Sequence, residues 1–197
     1  MKKLILIVFA ISLTAAGCGN ATPSSDQQTA NADVQANNEA HRDQDQQADK
    51  TINFSSYNSI YKFTGLIPAD WEIEYIQANE SINIYDPKMA SPDNLEKSQI
   101  FIRHFRASSF LTLTTVDILK REQLTVGSHA AVMYEIKKKT NVPNFPNQPL
   151  WRSGQHTLID IRYSADNPSE FYVIAKNPSL DPVTFDVFID KLKFEND

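Results

Sequence analysis

Four histidines and one cysteine are the side chains of this sequence best suited to bind a metal or to act as a nucleophile. His104, His129 and His156 lie where apolar residues alternate, whereas His41 lies in a polar segment. No two of them have the spacing of a metal-binding pair such as HxxxH, and the single cysteine, Cys18, is near the N-terminus. The sequence therefore predicts neither a metal site nor a bound cofactor.

Serine-based or carboxylate-based catalysis finds little support in the sequence. The chain has five glycines and contains neither a G-x-S-x-G motif nor a glycine-rich phosphate loop. Ser153 lies close to His156 in the chain, but such a pair is common by chance. The carboxylates Asp70, Glu135 and Asp160 show no pattern that would bring two of them together. We therefore expect a protein that is not an enzyme.

The segment of residues 141–152 has the composition of a binding surface. Three prolines stiffen it, and it holds more apolar surface than a solvated loop needs. Long ordered loops are often functional, and aromatic residues with arginine are typical of binding hot spots. Alternatively, Phe145 and Trp151 cover one end of a sheet while Arg152 pairs with Asp160 or a neighbour. The candidate partner-binding residues are Phe145, Leu150, Trp151 and Arg152.

The N-terminal residues have the pattern of a signal peptide. Two lysines precede an apolar run at residues 4–13, and small residues lead up to Cys18. The run is shorter than the roughly 20 residues that a membrane-spanning helix needs. Ala-Ala-Gly-Cys resembles a lipobox, although Ala15 stands where leucine is usual. The resemblance implies cleavage after Gly17 and a diacylglyceryl group on Cys18; the alternative is ordinary cleavage beside an unmodified cysteine.

Lipidation would hold the protein on a membrane, because two or three acyl chains on one residue suffice for stable anchoring. Gly19 follows the cysteine where Asp would indicate retention in a Gram-negative inner membrane. That sorting rule favours the outer membrane in such a cell, or the outer face of the cell membrane in a single-membrane cell. The net charge of −5, which becomes −7 without Lys2 and Lys3, argues against nucleic-acid binding.

A change of composition near residue 51 separates a tether from a globular domain. Residues 18–50 are rich in Gln, Asn, Ala and Asp, and Val34 is their only large aliphatic residue. Such a segment cannot bury enough apolar surface to offset the entropy of ordering it. The sequence therefore predicts a signal peptide at residues 1–17, a lipidated and disordered tether at 18–50, and one domain at 51–197.

The domain pattern predicts the α+β class, with a mainly antiparallel sheet of about six strands and a C-terminal helix. Short β-rich runs alternate with turn signals, and Gly127-Ser128 indicates a hairpin. Large apolar side chains on both faces of residues 99–105 are typical of a sheet that is covered on both sides. Asp181 and Pro182 begin a helix whose apolar residues recur at i, i+3, i+4 and i+7.

Three stretches of the domain resemble PsbP-like domains. They are residues 61–73 with their Pro-x-x-Trp, the hairpin at 124–131, and the ending at 171–175 followed by a helix and residues 192–194. The resemblance covers most of residues 58–195 and rests on structural motifs. It implies an α/β/α sandwich that serves as an accessory or assembly module. Photosynthetic members bind an oxygen-evolving complex, but nothing in this sequence indicates photosynthesis.

Together, these features predict a membrane-anchored exported lipoprotein whose domain is a non-enzymatic binding or assembly module of the cell envelope. Its expected partners are the membrane, through the lipid, and an envelope protein that contacts residues 141–152. An envelope glycan is the alternative, because exposed Trp and Tyr near Asn and Asp can stack on and hydrogen-bond sugar rings. A cell-wall hydrolase is a third hypothesis, and it would require Asp, His and Ser side chains to converge in a deep pocket.

Overall fold

Alternating apolar residues build two antiparallel sheets in the computed structural model, which describes residues 48–108, 114–164, 167 and 169–195. The described residues belong to one compact unit, Gln47–Asp197. The predicted signal peptide, Cys18 and all but the end of the predicted tether lie outside them. The elements are β1 (Asp49–Asn53), β2 (Phe63–Pro68), β3 (Glu72–Ile76), β4 (Ser81–Tyr85), β5 (Ser98–Arg106), β6 (Val116–Val126), β7 (His129–Lys138), β8 (Gln155–Ile161), β9 (Glu170–Lys176), α1 (Pro182–Asp190) and β10 (Lys193–Phe194).

The strands divide between a small and a large sheet. The small sheet has the order β1-β2-β10, and the large sheet has the order β3-β4-β5-β9-β8-β7-β6. Every pairing is antiparallel, for example Ile102 with Ile174 between β5 and β9. The predicted α+β class, antiparallel sheet and C-terminal helix are confirmed.

The predicted number of about six strands is wrong, because the described residues form ten strands in two sheets. The prediction missed β1 and β10. β1 begins at Asp49, two residues before the predicted domain start, and resembles the polar tether because only Lys50 and Ile52 are even partly buried. β10 has two residues, which is too short for an alternating pattern to be recognised.

One face of the large sheet, here called the helix face, packs against α1 and the small sheet. Its buried residues include Ile82, Ile102 and Ile174, which belong to the same apolar cluster as Phe63 and Phe188. α1 begins as predicted: the Asp181 carboxylate accepts a hydrogen bond from the Thr184 amide at 3.0 Å, and Pro182 follows. The predicted apolar stripe, Phe185, Phe188, Ile189 and Leu192, is buried.

Gly65 in β2 allows this close packing. A Cβ at this position would lie 3.1 Å from both Phe188 Cε2 and Phe54 Cε2, and 3.2 Å from Leu192 Cδ2. A larger side chain would therefore push α1 away from the small sheet.

The opposite face of the large sheet, here called the loop face, is covered differently. Its buried residues, Phe101, Leu158 and Val173 among them, pack against Leu95 and Trp151, which lie in connections between strands. Within the described residues α1 is the single α-helix, so the layers differ from the α/β/α sandwich that the family resemblance implies. The turn-rich segments 86–97 and 139–154 take the place of helices on this face.

Candidate functional site

The loop face carries a cavity of about 350 Å³, here called the loop-face cavity. It lies where the connection between β7 and β8, residues 139–154 and here called the β7–β8 loop, folds over β5, β6 and β7. Small-molecule sites typically have volumes from about 300 to 1,000 Å³. Its lining residues are Arg103, Phe105, Thr115, Val116, Ile136, Lys138, Phe145, Gln148, Arg152, Ser153 and His156.

β5 supplies the first cation of the cavity. Phe101, Arg103 and Phe105 alternate along the strand and therefore share the loop face. The Arg103 guanidinium stacks on Phe105, with Cζ 4.7 Å from the ring centroid. Its buried Nε has no hydrogen-bond partner within the described parts of the chain, and burial lowers the pKa of this group.

The β7–β8 loop supplies the second cation. Arg152 lies in a short 3-10 helix, Leu150–Ser153, which places its Cζ 5.3 Å from the ring centroid of Phe101. Nη1 donates a 2.8 Å hydrogen bond to the side-chain oxygen of Gln148, while the buried Nε has no acceptor among the residues the structure describes. Burial, and then the charge of Arg103, lower the pKa of Arg152 to about 9. Arginine normally stays charged, so this cation is held at a cost in free energy.

His156 forms part of the cavity wall and is only 4 % exposed. Its Nδ1 lies 3.0 Å from the Gly154 carbonyl oxygen, so Nδ1 carries the proton and Nε2 is left as an acceptor. Nε2 is buried and has no donor in the described ranges. Burial, and then the charge of Arg152, lower the pKa of His156 to about 4. The ring is therefore neutral at pH 7, and it packs edge-on against Trp151 with 5.6 Å between centroids.

Because His156 is buried, we expect the free energy of unfolding to depend on pH. Unfolded His156 would bind a proton below about pH 6.5, but folded His156 does so only below about pH 4. The unfolded state therefore binds more protons between these values, so stability falls as the pH falls. We expect a loss of about 2 kcal/mol between pH 7.5 and pH 5 from this group. Urea unfolding at both pH values measures it.

His156→Gln should remove that part of the loss, and His129→Gln, which leaves His156 in place, should retain it. Comparing the variants also separates the effect of His156 from that of Asp160. Burial raises the pKa of the Asp160 carboxyl group, so this group favours the folded state as the pH falls, opposite to His156. Equal pH slopes for the wild-type and His156→Gln proteins would contradict the assignment.

The cavity has an excess of positive charge. Arg103, Lys138 and Arg152 line it, and none of its lining residues in the described chain is Asp or Glu. Lys138 donates to the backbone carbonyls of Val142 and Lys139, which are neutral acceptors. The site therefore presents a positive potential beside the apolar rings that line it.

The carboxylates singled out from the sequence bind separate partners elsewhere. Asp70 forms a 2.7 Å ion pair with Lys88, and Glu135 accepts from Gln155. Asp160 pairs with Arg162 at 2.7 Å. One alternative from the sequence paired Arg152 with Asp160 or a neighbour. Asp160 is wrong, because Arg152 bonds instead to the neighbouring side chain of Gln148.

The four predicted partner-binding residues fall into two pairs. Phe145 and Leu150 are 52 % and 59 % exposed, as a contact surface requires. Trp151 is half-buried against the apolar cluster of the loop face, and Arg152 stacks on Phe101. The loop therefore contains both exposed apolar side chains and side chains that pack on the sheet.

Ser153 and His156 both line the cavity, but each bonds to another group. The Ser153 hydroxyl donates a 2.7 Å hydrogen bond to Asn144, and His156 Nδ1 faces the Gly154 carbonyl. His104 lies 3.2 Å from the Tyr163 hydroxyl, and His129 packs on Phe194. Across residues 48–108, 114–164, 167 and 169–195 no group of three His, Cys, Asp or Glu side chains could hold a metal. In those same ranges, no helix has the length and apolar character to span a membrane.

Sequence reasoning missed Arg103, Lys138 and the apolar wall formed by Phe105, Val116 and Ile136. One signal was available. Arg103 stands between Phe101 and Phe105 on a strand with large apolar residues on both faces, so its charge had to be covered. A charged residue at such a position needs a partner or a functional reason.

Comparison with known proteins gives a likeness in structure. The solution structure of cyanobacterial PsbP (CyanoP) from Synechocystis sp. PCC 6803 is similar to this chain. The TM-score is 0.45 and the sequence identity is 9 %, over 75 % of this chain and 93 % of that chain. No family model matches the sequence, and no curated protein matches it. Membership of a PsbP-like family therefore stays a prediction from the sequence.

Proposed function

We propose that this protein is an exported, lipid-anchored binding module of the cell envelope and that it captures its partner without catalysis. Its binding surface is the β7–β8 loop together with the loop-face cavity below it. The observation that carries the proposal is an ordered loop that exposes Phe145 and Leu150 while it encloses a cavity of about 350 Å³. Exposed apolar side chains beside a cavity are typical of interaction sites.

The loop is fixed at several points, which supports a role in recognition. The Asn79 side chain donates to the Asn147 carbonyl at 2.6 Å, and the Leu150 amide donates to Glu96 at 3.3 Å. Asn79 lies between β3 and β4, and Glu96 lies between β4 and β5, so the loop is hydrogen-bonded to two other connections of the large sheet. Because the loop is ordered before binding, less conformational entropy is lost on association.

The anchor gives this module its place in the cell. Cys18 follows a signal-peptide pattern and would carry the lipid, and residues 19–50 would join it to the domain. The resemblance of residues 61–73, 124–131 and 171–175 to PsbP-like domains supports an accessory or assembly role. The domain is then a PsbP-like module that works within reach of the membrane surface.

The proposal is tested by crosslinking in intact cells followed by recovery of the lipidated protein. The double variant Phe145→Ala, Leu150→Ala should lose most partner capture, because it removes both exposed apolar contacts. Its thermal midpoint should change little, since surface truncations usually cost about 0.5 kcal/mol or less. Trp151 is left intact because it packs on the loop face, where truncation would also unfold the site.

Val183→Ala is the matched control. Val183 is also an exposed apolar residue, but it lies on α1 at the other face of the large sheet. The Val183→Ala protein should capture the partner as the wild type does. Recovery of one envelope protein or one glycan by the wild type and by Val183→Ala alone would support the proposal and identify the partner class. Equal recovery by the double variant would overturn it.

A further inference from the structure

We propose that the loop-face cavity binds a small organic anion, a carboxylate or phosphate group on an apolar body, with Arg103 and Arg152 contacting the charged group. This inference rests on the proposed function and deepens it, because it names the class of ligand that the binding surface accepts.

The charge of the cavity is the first argument. Arg103 and Arg152 line the same cavity, and each is close enough to a phenylalanine ring to stack on it. Neither has a carboxylate partner within the described residues. Two cations held together without a counter-ion repel each other and lose solvation. An anion between them would supply the missing attraction and form short, charge-assisted hydrogen bonds.

Unused hydrogen-bonding atoms are the second argument. The Nε atoms of Arg103 and Arg152 and the Nε2 of His156 are buried, and none has a partner in the part of the chain described. Most buried polar atoms in proteins have a partner, so three unsatisfied atoms from residues of one cavity are unusual. The two arginines can donate to an anion, while neutral His156 can accept from a hydroxyl or a protonated group.

The apolar wall is the third argument, because it limits the ligand to more than a bare ion. Phe105, Val116, Ile136 and Phe145 line the cavity beside the cations. A volume of about 350 Å³ is at the lower end of the range for small-molecule sites, so it suits one small molecule. An anionic head against the arginines and an apolar body against these side chains would match both halves of the lining.

Calorimetric titration of the mature chain, residues 18–197 carrying Cys18→Ser, tests the ligand class without detergent. The probes are phenyl phosphate, phenylacetate and the neutral benzyl alcohol. We expect at least one of the two anions to bind ten times or more tighter than benzyl alcohol. Preference for phenyl phosphate would identify a phosphate ester as the ligand source, and preference for phenylacetate would identify a carboxylic acid.

Arg103→Gln and Arg152→Gln should each weaken binding of the anion by about tenfold or more, because each removes a charge-assisted contact. Arg121→Gln is the control, since Arg121 lies on β6 outside the cavity lining. The ligand-free Arg152→Gln protein should melt at the wild-type temperature or higher, because the substitution removes a buried cation that has no counter-ion. A purely structural arginine would instead lower the midpoint when replaced.

Three results would overturn the inference. Benzyl alcohol could bind as tightly as the anions, the two arginine variants could bind the anions as the wild type does, or neither anion could bind to the folded protein. These results leave the proposed function standing if the Phe145→Ala, Leu150→Ala variant still loses capture in cells. Failure of that capture experiment with intact anion binding would overturn the envelope role alone.

Discussion

Replacing Cys18 with Ser is expected to move this protein from the membrane fraction to the soluble fraction of the cell. The substitution removes the thiol that would carry the diacylglyceryl group. Each buried methylene of an acyl chain contributes about 0.8 kcal/mol to membrane binding, so two chains hold a protein almost completely. Loss of both should therefore be close to an all-or-none effect, measured by fractionation after a high-salt wash.

Ser24→Ala is the matched control for this experiment, because Ser24 lies in the same predicted tether a few residues beyond the cysteine. It should stay in the membrane fraction with the wild type. If the Cys18→Ser protein also resists the high-salt wash although its signal peptide has been cleaved, the lipid anchor is refuted and another membrane attachment must exist.

Phe188→Ala should cost about 3 to 5 kcal/mol of unfolding free energy. The side chain is fully buried on the helix face, where its ring meets Phe54 edge-on at 6.3 Å. It also fills the space above Gly65, which has no side chain of its own. The free energy of unfolding of an ordinary domain is about 5 to 15 kcal/mol, so the space left by this substitution would remove a large share of it. Urea unfolding, fitted with the same dependence of free energy on urea concentration for both proteins, measures the difference in unfolding free energy.

Val187→Ala is the control for the same helix, since Val187 occupies the neighbouring position and is 38 % exposed. It should change stability by about 0.5 kcal/mol or less. A loss below about 1 kcal/mol for Phe188→Ala would mean that α1 does not seal the helix face as the structure describes.

Local patterns in the sequence were enough to predict the elements that carry their own signals. α1 has a capping Asp181, a first-turn Pro182 and a complete apolar stripe, and each of these acts within the helix itself. The β6–β7 hairpin is similar, because Gly127 takes the positive φ of 58° that the tight turn requires. The short strand β10 has no such local signal and is defined only by its pairing with β2.

The candidate site was predictable only in part, for a related reason. Phe145 and Leu150 stand out because of their local composition, and the structure leaves them exposed. Arg103 and Arg152 meet only because the strand order places β5, β9, β8 and β7 side by side beneath the β7–β8 loop. Strand order depends on long-range packing, and hydrophobic periodicity carries no information about it.

Which carboxylate pairs with which arginine also depends on the folded structure. The sequence contains enough carboxylates to neutralise both arginines, and Asp160 was a reasonable partner for Arg152. In the folded domain Asp160 turns to Arg162, whose guanidinium stacks 3.8 Å above Phe171. The cavity therefore keeps its positive charge although the chain as a whole is acidic.

Mapping the crosslinked residues in intact cells would locate the face of the domain that binds the partner. Mass spectrometry of the lipidated protein after crosslinking would show which face meets the partner. Crosslinks should be concentrated in the β7–β8 loop, residues 139–154, and should be lost together with capture in the Phe145→Ala, Leu150→Ala variant. Crosslinks concentrated instead on α1, and unchanged in that variant, would contradict the proposed binding surface.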